Sequence, residues 1–319
     1  MERALRLSIR HERAGGALRV LTLASAVALF GLIILGGVVR VTESGLGCPD
    51  WPFCHGQIIP PADTATLIEY SHRLLATVTG LMVFATAAVV WVAYRAERWL
   101  MGPMTLAVAL LVAQVLLGGA TVRTELAPGL VMAHLAVAQV LLACMIVAGV
   151  VAWRGTSPVR QAEGGIAARA PRSTLMPVAL VGTFVLLLAG SYVQASEATG
   201  ACGDSWPLCQ GELLPGGELP LVHMLHRFLA ILVGVLVLAY LMEVWRTRRQ
   251  PWLRMVALAI VGLFVGQVIV GGFNVWLAFP RSVNVLHLAM GTGVWAVLVL
   301  LVALGNLLPA SETEGSDGT

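Results

Sequence analysis

Lysine is absent from this 319-residue chain, and all 20 of its basic residues are arginine. Charge of either sign is scarce: 12% of residues are charged, against about 25% in soluble globular domains. No apolar stretch alternates with period two, which excludes a membrane β-barrel. What the chain has instead is 58% hydrophobic residues gathered in long blocks, with a mean hydropathy of +0.86. A soluble enzyme, a disordered regulator and a nucleic-acid binder are all poor fits to that composition. The formal charge of +3 records topology rather than a polyanionic partner.

A membrane-spanning helix needs roughly 20 mostly apolar residues. Eight blocks meet that length, over 18–40, 67–94, 103–122, 129–153, 175–194, 222–245, 252–277 and 283–307. The expected fold is therefore an all-α polytopic membrane protein with eight transmembrane helices. Fifteen arginines fall before or at the start of the first block, between the second and third, in the linker at 154–174, and between the sixth and seventh or at the start of the seventh. Only Arg40, Arg123 and Arg281 lie in the alternate loops, so the positive-inside bias predicts that both termini are cytoplasmic. The first block is too long for a signal-peptide core and reads as a retained helix. The acidic tail Ser311–Thr319 reads as disordered.

The chain repeats itself. Gly36, Glu43 and Cys48 match Gly190, Glu197 and Cys202 at an offset of 154. Trp51, Pro52 and Cys54 match Trp206, Pro207 and Cys209 at 155, and His72-Arg73 matches His226-Arg227 at 154. Gly118, Gly119 and His134 match Gly271, Gly272 and His287 at 153. An even number of helices per repeat inserts both halves in the same sense. The expected architecture is two tandem pseudo-symmetric four-helix bundles, 1–160 and 161–319, with the Arg-, Ala-, Gly- and Pro-rich linker as the seam.

His72, His134, His226 and His287 each fall about five residues into an even-numbered block, roughly 8 Å below its outer end. Each half thus presents two imidazoles at one level, an arrangement that can clamp a haem iron from both faces. The plainer reading is a polar residue hydrogen-bonded inside a bundle. A zinc site would want a third or fourth ligand nearby. Arg73 and Arg227 follow two of these histidines, where a guanidinium fork suits a haem propionate; the alternative is an arginine snorkelling to the interface. His11 and His55 lie in polar segments with no evident role, and Cys144 reads as an inert packing residue.

One position breaks the repeat. Glu69 lies three residues before His72, on the same helical face. The second half has His223 there, a candidate accessory ligand beside His226. A carboxylate beside a porphyrin edge can accept a proton, which predicts that the first half holds the porphyrin being worked on and the second a resident haem for electron transfer. The alternative is an interfacial acid favoured by the helix dipole. Cys48/Cys54 and Cys202/Cys209 bracket short loops on the oxidising side and are expected to form disulfides. A structural staple suits the second pair, while a redox role stays open for the first.

The run Gly-Gly-Val-Val-Arg-Val-Thr-Glu-Ser-Gly-Leu-Gly-Cys-Pro-Asp-Trp-Pro at 36–52, Glu-x-x-His-Arg at 69–73 and the paired histidines resemble the haem A synthase family over nearly the whole chain. The resemblance implies oxidation of a methyl substituent of haem O to a formyl by successive hydroxylations, giving haem A for cytochrome oxidase assembly. It implies His72 and His134 as substrate haem ligands, Glu69 as the catalytic carboxylate, and His226 and His287 as ligands of haem b. It also implies a plasma (inner) membrane location with the cysteine loops outside, and haem O synthase as the substrate donor. The electron acceptor and any self-association are left open. The competing class is a dihaem electron carrier from a quinol to an outer acceptor, which would have no use for Glu69.

Overall fold

The computed structural model describes residues 2–154, 173–248 and 250–307. Among them are eight α-helices: α1 Glu2–Val41, α2 Thr64–Ala93, α3 Arg98–Arg123, α4 Pro128–Arg154, α5 Leu175–Ala195, α6 Glu218–Thr247, α7 Pro251–Trp276 and α8 Arg281–Leu307. All eight contain a stretch long and apolar enough to cross a membrane. Hydrocarbon offers no partner for backbone N–H and C=O groups, so each helix must satisfy its own. The described residues contain no strand, only two isolated bridges. The protein is an all-α, multi-pass membrane protein. The predicted seam, apart from Arg154, Ser173 and Thr174, and the tail Ser311–Thr319 lie outside the described residues.

Several helices start earlier than hydropathy alone places them. Asp63 caps α2 by accepting the Thr66 N–H at 3.1 Å, which adds a polar first turn. The start of α3 moves from the expected 103 back to Arg98, because Leu100 and Met104 are fully buried and hold that turn in the core. The backbone of α1 stays helical through the arginine-rich arm from Glu2, and its apolar span begins at Gly15.

Helix α1 packs on α2 and α4, and α3 packs on the same two, leaving α2 and α4 on a diagonal. In the second half α5 and α7 each pack on α6 and α8, which leaves α6 and α8 diagonal. The halves meet through α4 against α8, α1 against α8, and α4 against α5. Over half of the α4 span (56%) and 44% of the α8 span are buried, against 17% for α3, α5 and α7. Helices α4 and α8 are therefore the central pair. Leu141, Met145 and Ala148 on α4 and Val294, Leu298 and Leu301 on α8 form buried stripes at helical spacing. A polar bridge joins this pair: Gln139 Nε2 donates to Thr292 Oγ1 at 3.0 Å, and Trp295 Nε1 donates to the Gln139 carbonyl at 3.0 Å. Such interhelical bonds average about 0.6 kcal/mol in membranes, so this bridge sets register more than stability.

Candidate functional site

The loops after α1 and α5 cover the same end of the two halves. Each is closed by a disulfide, Cys48–Cys54 in one and Cys202–Cys209 in the other, and all four cysteines are buried. Each loop has a cis Trp-Pro bond, at Trp51-Pro52 and Trp206-Pro207. The indoles rest on glycines: a Cβ on Gly119 would come within 3.0 Å of Trp51, and one on Gly272 within 3.5 Å of Trp206. At Gly119 an added methyl would crowd the indole, whereas at Gly272 it would make ordinary contact, so the close seating depends on glycine on α3 but not on α7.

Beneath the first loop, Glu69 is 4% exposed. Its Oε2 accepts the Cys48 backbone N–H at 2.9 Å, and its Oε1 accepts from Arg73 Nε at 3.1 Å and Nη2 at 2.5 Å. Arg73 also donates to the carbonyls of Cys48 (2.8 Å), Asp50 (2.7 Å) and Phe53 (2.7 Å). A guanidinium has five N–H donors, and these contacts occupy them all. The acid, the arginine and the disulfide loop form one unit.

The second half repeats the clamp without the acid. Arg227 Nη1 donates to the carbonyls of Ser205 (3.0 Å), Pro207 (3.0 Å) and Leu208 (2.8 Å). His223 Nδ1 lies 3.1 Å from the Ala198 carbonyl, and its Nε2 lies 3.5 Å from Arg227 Nη2. A carbonyl only accepts, so Nδ1 carries the hydrogen and Nε2 faces the guanidinium as an acceptor. Both ring nitrogens of His223 are thus engaged away from His226.

The four paired histidines, His72, His134, His226 and His287, are all half-buried. With the helix starts moved outward, His72 and His226 lie eight residues past the first residue of their helices, and His134 and His287 six, rather than the expected five. The counts agree between halves. His72 and His134 stand on the diagonal helices α2 and α4, and His226 and His287 on α6 and α8. Each imidazole lies against a glycine of its neighbour: a Cβ on Gly36 would approach His72 at 3.3 Å, on Gly118 His134 at 3.5 Å, on Gly190 His226 at 3.1 Å, and on Gly271 His287 at 3.0 Å. The Nδ1 atoms of His134, His226 and His287 are buried without a hydrogen-bond partner.

These features fit a planar group gripped by two imidazoles across each diagonal, because haem needs two axial ligands and an apolar slot. No group of three or more metal-ligating side chains occurs among the described residues. The glycine rests and the engagement of Arg73 by loop carbonyls were not anticipated from sequence. The recurrence of Gly36, Gly118, Gly190 and Gly271 was the available signal for the glycines. Backbone acceptors leave none.

The fold and site thus define a helical multi-pass membrane protein with paired histidines beneath two disulfide-closed loops. Residues 19–299 match the COX15-CtaA family model, described as cytochrome oxidase assembly protein. Among similar proteins, the heme A synthase of Symbiobacterium thermophilum is 32% identical over 307 residues, covering 90% of this chain and 95% of that protein. The heme A synthase of Alkalihalophilus pseudofirmus is 30% identical over 281 residues, covering 85% and 91%. That of Exiguobacterium sp. is 29% identical over 269 residues, covering 84% and 79%. The chain belongs to the COX15-CtaA family of cytochrome oxidase assembly proteins.

Proposed function

We propose that this protein is a haem A synthase, an oxidoreductase that converts the methyl substituent of haem O to the formyl of haem A by successive hydroxylations. The observation that carries this reading is the break in the repeat. Glu69 is a buried acid one helical turn from His72, and the other half has His223 in its place. A protein that only relayed electrons would need both histidine pairs and no acid.

In this reading the first half, 1–160, receives haem O between His72 and His134, and the second, 161–319, holds haem b between His226 and His287. Bound haem b supplies an electron exit for the oxidation. Glu69 takes up protons as hydrogen leaves the methyl carbon. Arg73 pairs with it from one helical turn away, and the Cys48 N–H aims it from the loop side. Arg73 and Arg227 sit beneath the two loops, at the ends of the slots where propionates would lie; among the described residues Arg227 Nε makes no hydrogen bond and is open to one. The disulfide loops exclude water above both slots. The cysteine loops face outside and both termini face the cytoplasm of a plasma (inner) membrane. Haem O synthase delivers the substrate, and the product passes to cytochrome oxidase assembly.

Expression of the chain in cells that make haem O but no haem A tests this directly. Haem A should appear in the membranes. Accumulation of the haem-loaded protein with haem O unconverted would favour the electron carrier.

A further inference from the structure

Among the buried polar atoms without a hydrogen-bond partner, two kinds complement each other in chemistry and in place. Gln114 Oε1 and Gln267 Oε1 can only accept, and the Nδ1 atoms of His134 and His287 can donate. Both pairs recur at the repeat offset, since 267 − 114 and 287 − 134 are each 153. Gln114 lies four residues before Gly118, the glycine that His134 rests on, and Gln267 lies four before Gly271, on which His287 rests. Spacing of four puts each glutamine on the face of α3 or α7 that meets the histidine helix. The second half shows the approach directly. A Cβ on Gly291, one turn beyond His287 on α8, would lie 3.0 Å from Gln267 Nε2. The carboxamide therefore lies against α8 one turn from the imidazole.

An imidazole that ligates a metal through one nitrogen needs an acceptor for the N–H of the other, which fixes ring orientation and raises ligand basicity. We propose that Gln267 and Gln114 are positioning residues that accept the Nδ1–H of His287 and His134 and so orient these rings for axial ligation through Nε2. This rests on the reading that the two histidines bind haem. The rival acceptors are the backbone carbonyl of Gln267, which faces the His287 ring, and Asn274, three residues past Gly271 on α7, whose Oδ1 is also buried and unpartnered. Asn274 does not recur, because the first half has Thr121 there, with its hydroxyl donating to the Gly118 carbonyl at 2.8 Å.

The test is a redox titration and electron paramagnetic resonance spectrum of haem b in the purified full-length protein. Gln267→Leu should keep haem b, raise its midpoint potential and shift the low-spin signal, because the ring loses basicity. Gln267→Glu, a stronger acceptor, should lower the potential. Gly291→Ala, which crowds the carboxamide, should shift it in the same sense as Gln267→Leu, so the test survives if the leucine variant fails to fold. Asn274→Leu should leave the signal unchanged. Haem b with an unaltered potential in all the Gln267 and Gly291 variants, or a shift with Asn274→Leu alone, would overturn the proposal. A wild-type protein lacking any b-type signal would overturn the ligand reading itself, and this inference with it.

Discussion

Arg73 Nη2 lies 2.5 Å from Glu69 Oε1, one helical turn apart on α2, and both side chains also hold the loop closed by Cys48 and Cys54. Removing one partner of a buried ion pair strands the other charge, at a cost of roughly 3–5 kcal/mol. Arg73→Ala should therefore destabilise the protein far more than Arg227→Ala, which leaves only His223 and loop carbonyls behind. Thermal unfolding of both variants in detergent checks this. Equal losses would show that the loop-carbonyl contacts both arginines share, not the acid, set the cost of removing either one.

Replacement of His226 or His287 by alanine should abolish the b-type difference spectrum of the purified protein. The same change at His72 or His134 should leave that spectrum in place and lower the content of the substrate haem. A haem b signal that survives loss of His226 or His287 would reassign the second half.

Added methyl groups should act through the imidazoles. A Cβ at Gly190 would meet His226 Cε1 at 3.1 Å, and one at Gly271 would meet His287 Cε1 at 3.0 Å, whereas Gly262 has nothing within 4 Å. Overpacking of this kind costs about 1–3 kcal/mol. Gly190→Ala and Gly271→Ala should lose haem b on purification while Gly262→Ala retains it, as read from haem-to-protein ratio. Loss with Gly262→Ala as well would point to helix insertion rather than ring placement.

The first loop should respond to acid through Asp50. Its carboxylate accepts the backbone N–H groups of Gly56 at 2.7 Å and His55 at 2.5 Å. The Gly56 bond, joined by that of His55, holds the carboxyl below its ordinary value of 3.8, outweighing desolvation. A lowered value in the folded state contributes stability above the unfolded value, and that contribution is lost as pH falls through the lowered one. Exchange protection of the His55 and Gly56 amides should hold from neutral pH down to 3.8 and fall only below it. Loss of protection well above 3.8 would show that the Asp50 carboxylate is not what anchors these amides.

The eight spans were legible in the sequence because apolar length is a one-dimensional signal that hydrocarbon enforces. Helix starts were less so: the first turn of α2 is polar, capped by Asp63, and hydropathy does not register it. The histidines and Glu69 stood out because ionisable groups are rare in such blocks. Arg73 was harder. Three of its acceptors are backbone carbonyls of Cys48, Asp50 and Phe53, which any residue supplies, so no side-chain pattern announces that its donors are filled. Gln114 and Gln267 went unread although they recur at the repeat offset, since their meaning depends on which helix face meets α4 and α8.

The central claim, that Glu69 works on a porphyrin held in the first half while the second holds haem b, is tested most directly by extracting and chromatographing the pigments of purified wild-type and Glu69→Gln protein. The substitution keeps an acceptor for the Cys48 N–H and removes the negative charge. Wild type should yield haem b together with haem O or haem A. The variant should keep a full complement of haem with haem A lowered by about 100-fold or more, the scale of a lost general base. Haem b alone in both slots of the wild type, or normal haem A from the variant, would contradict the account.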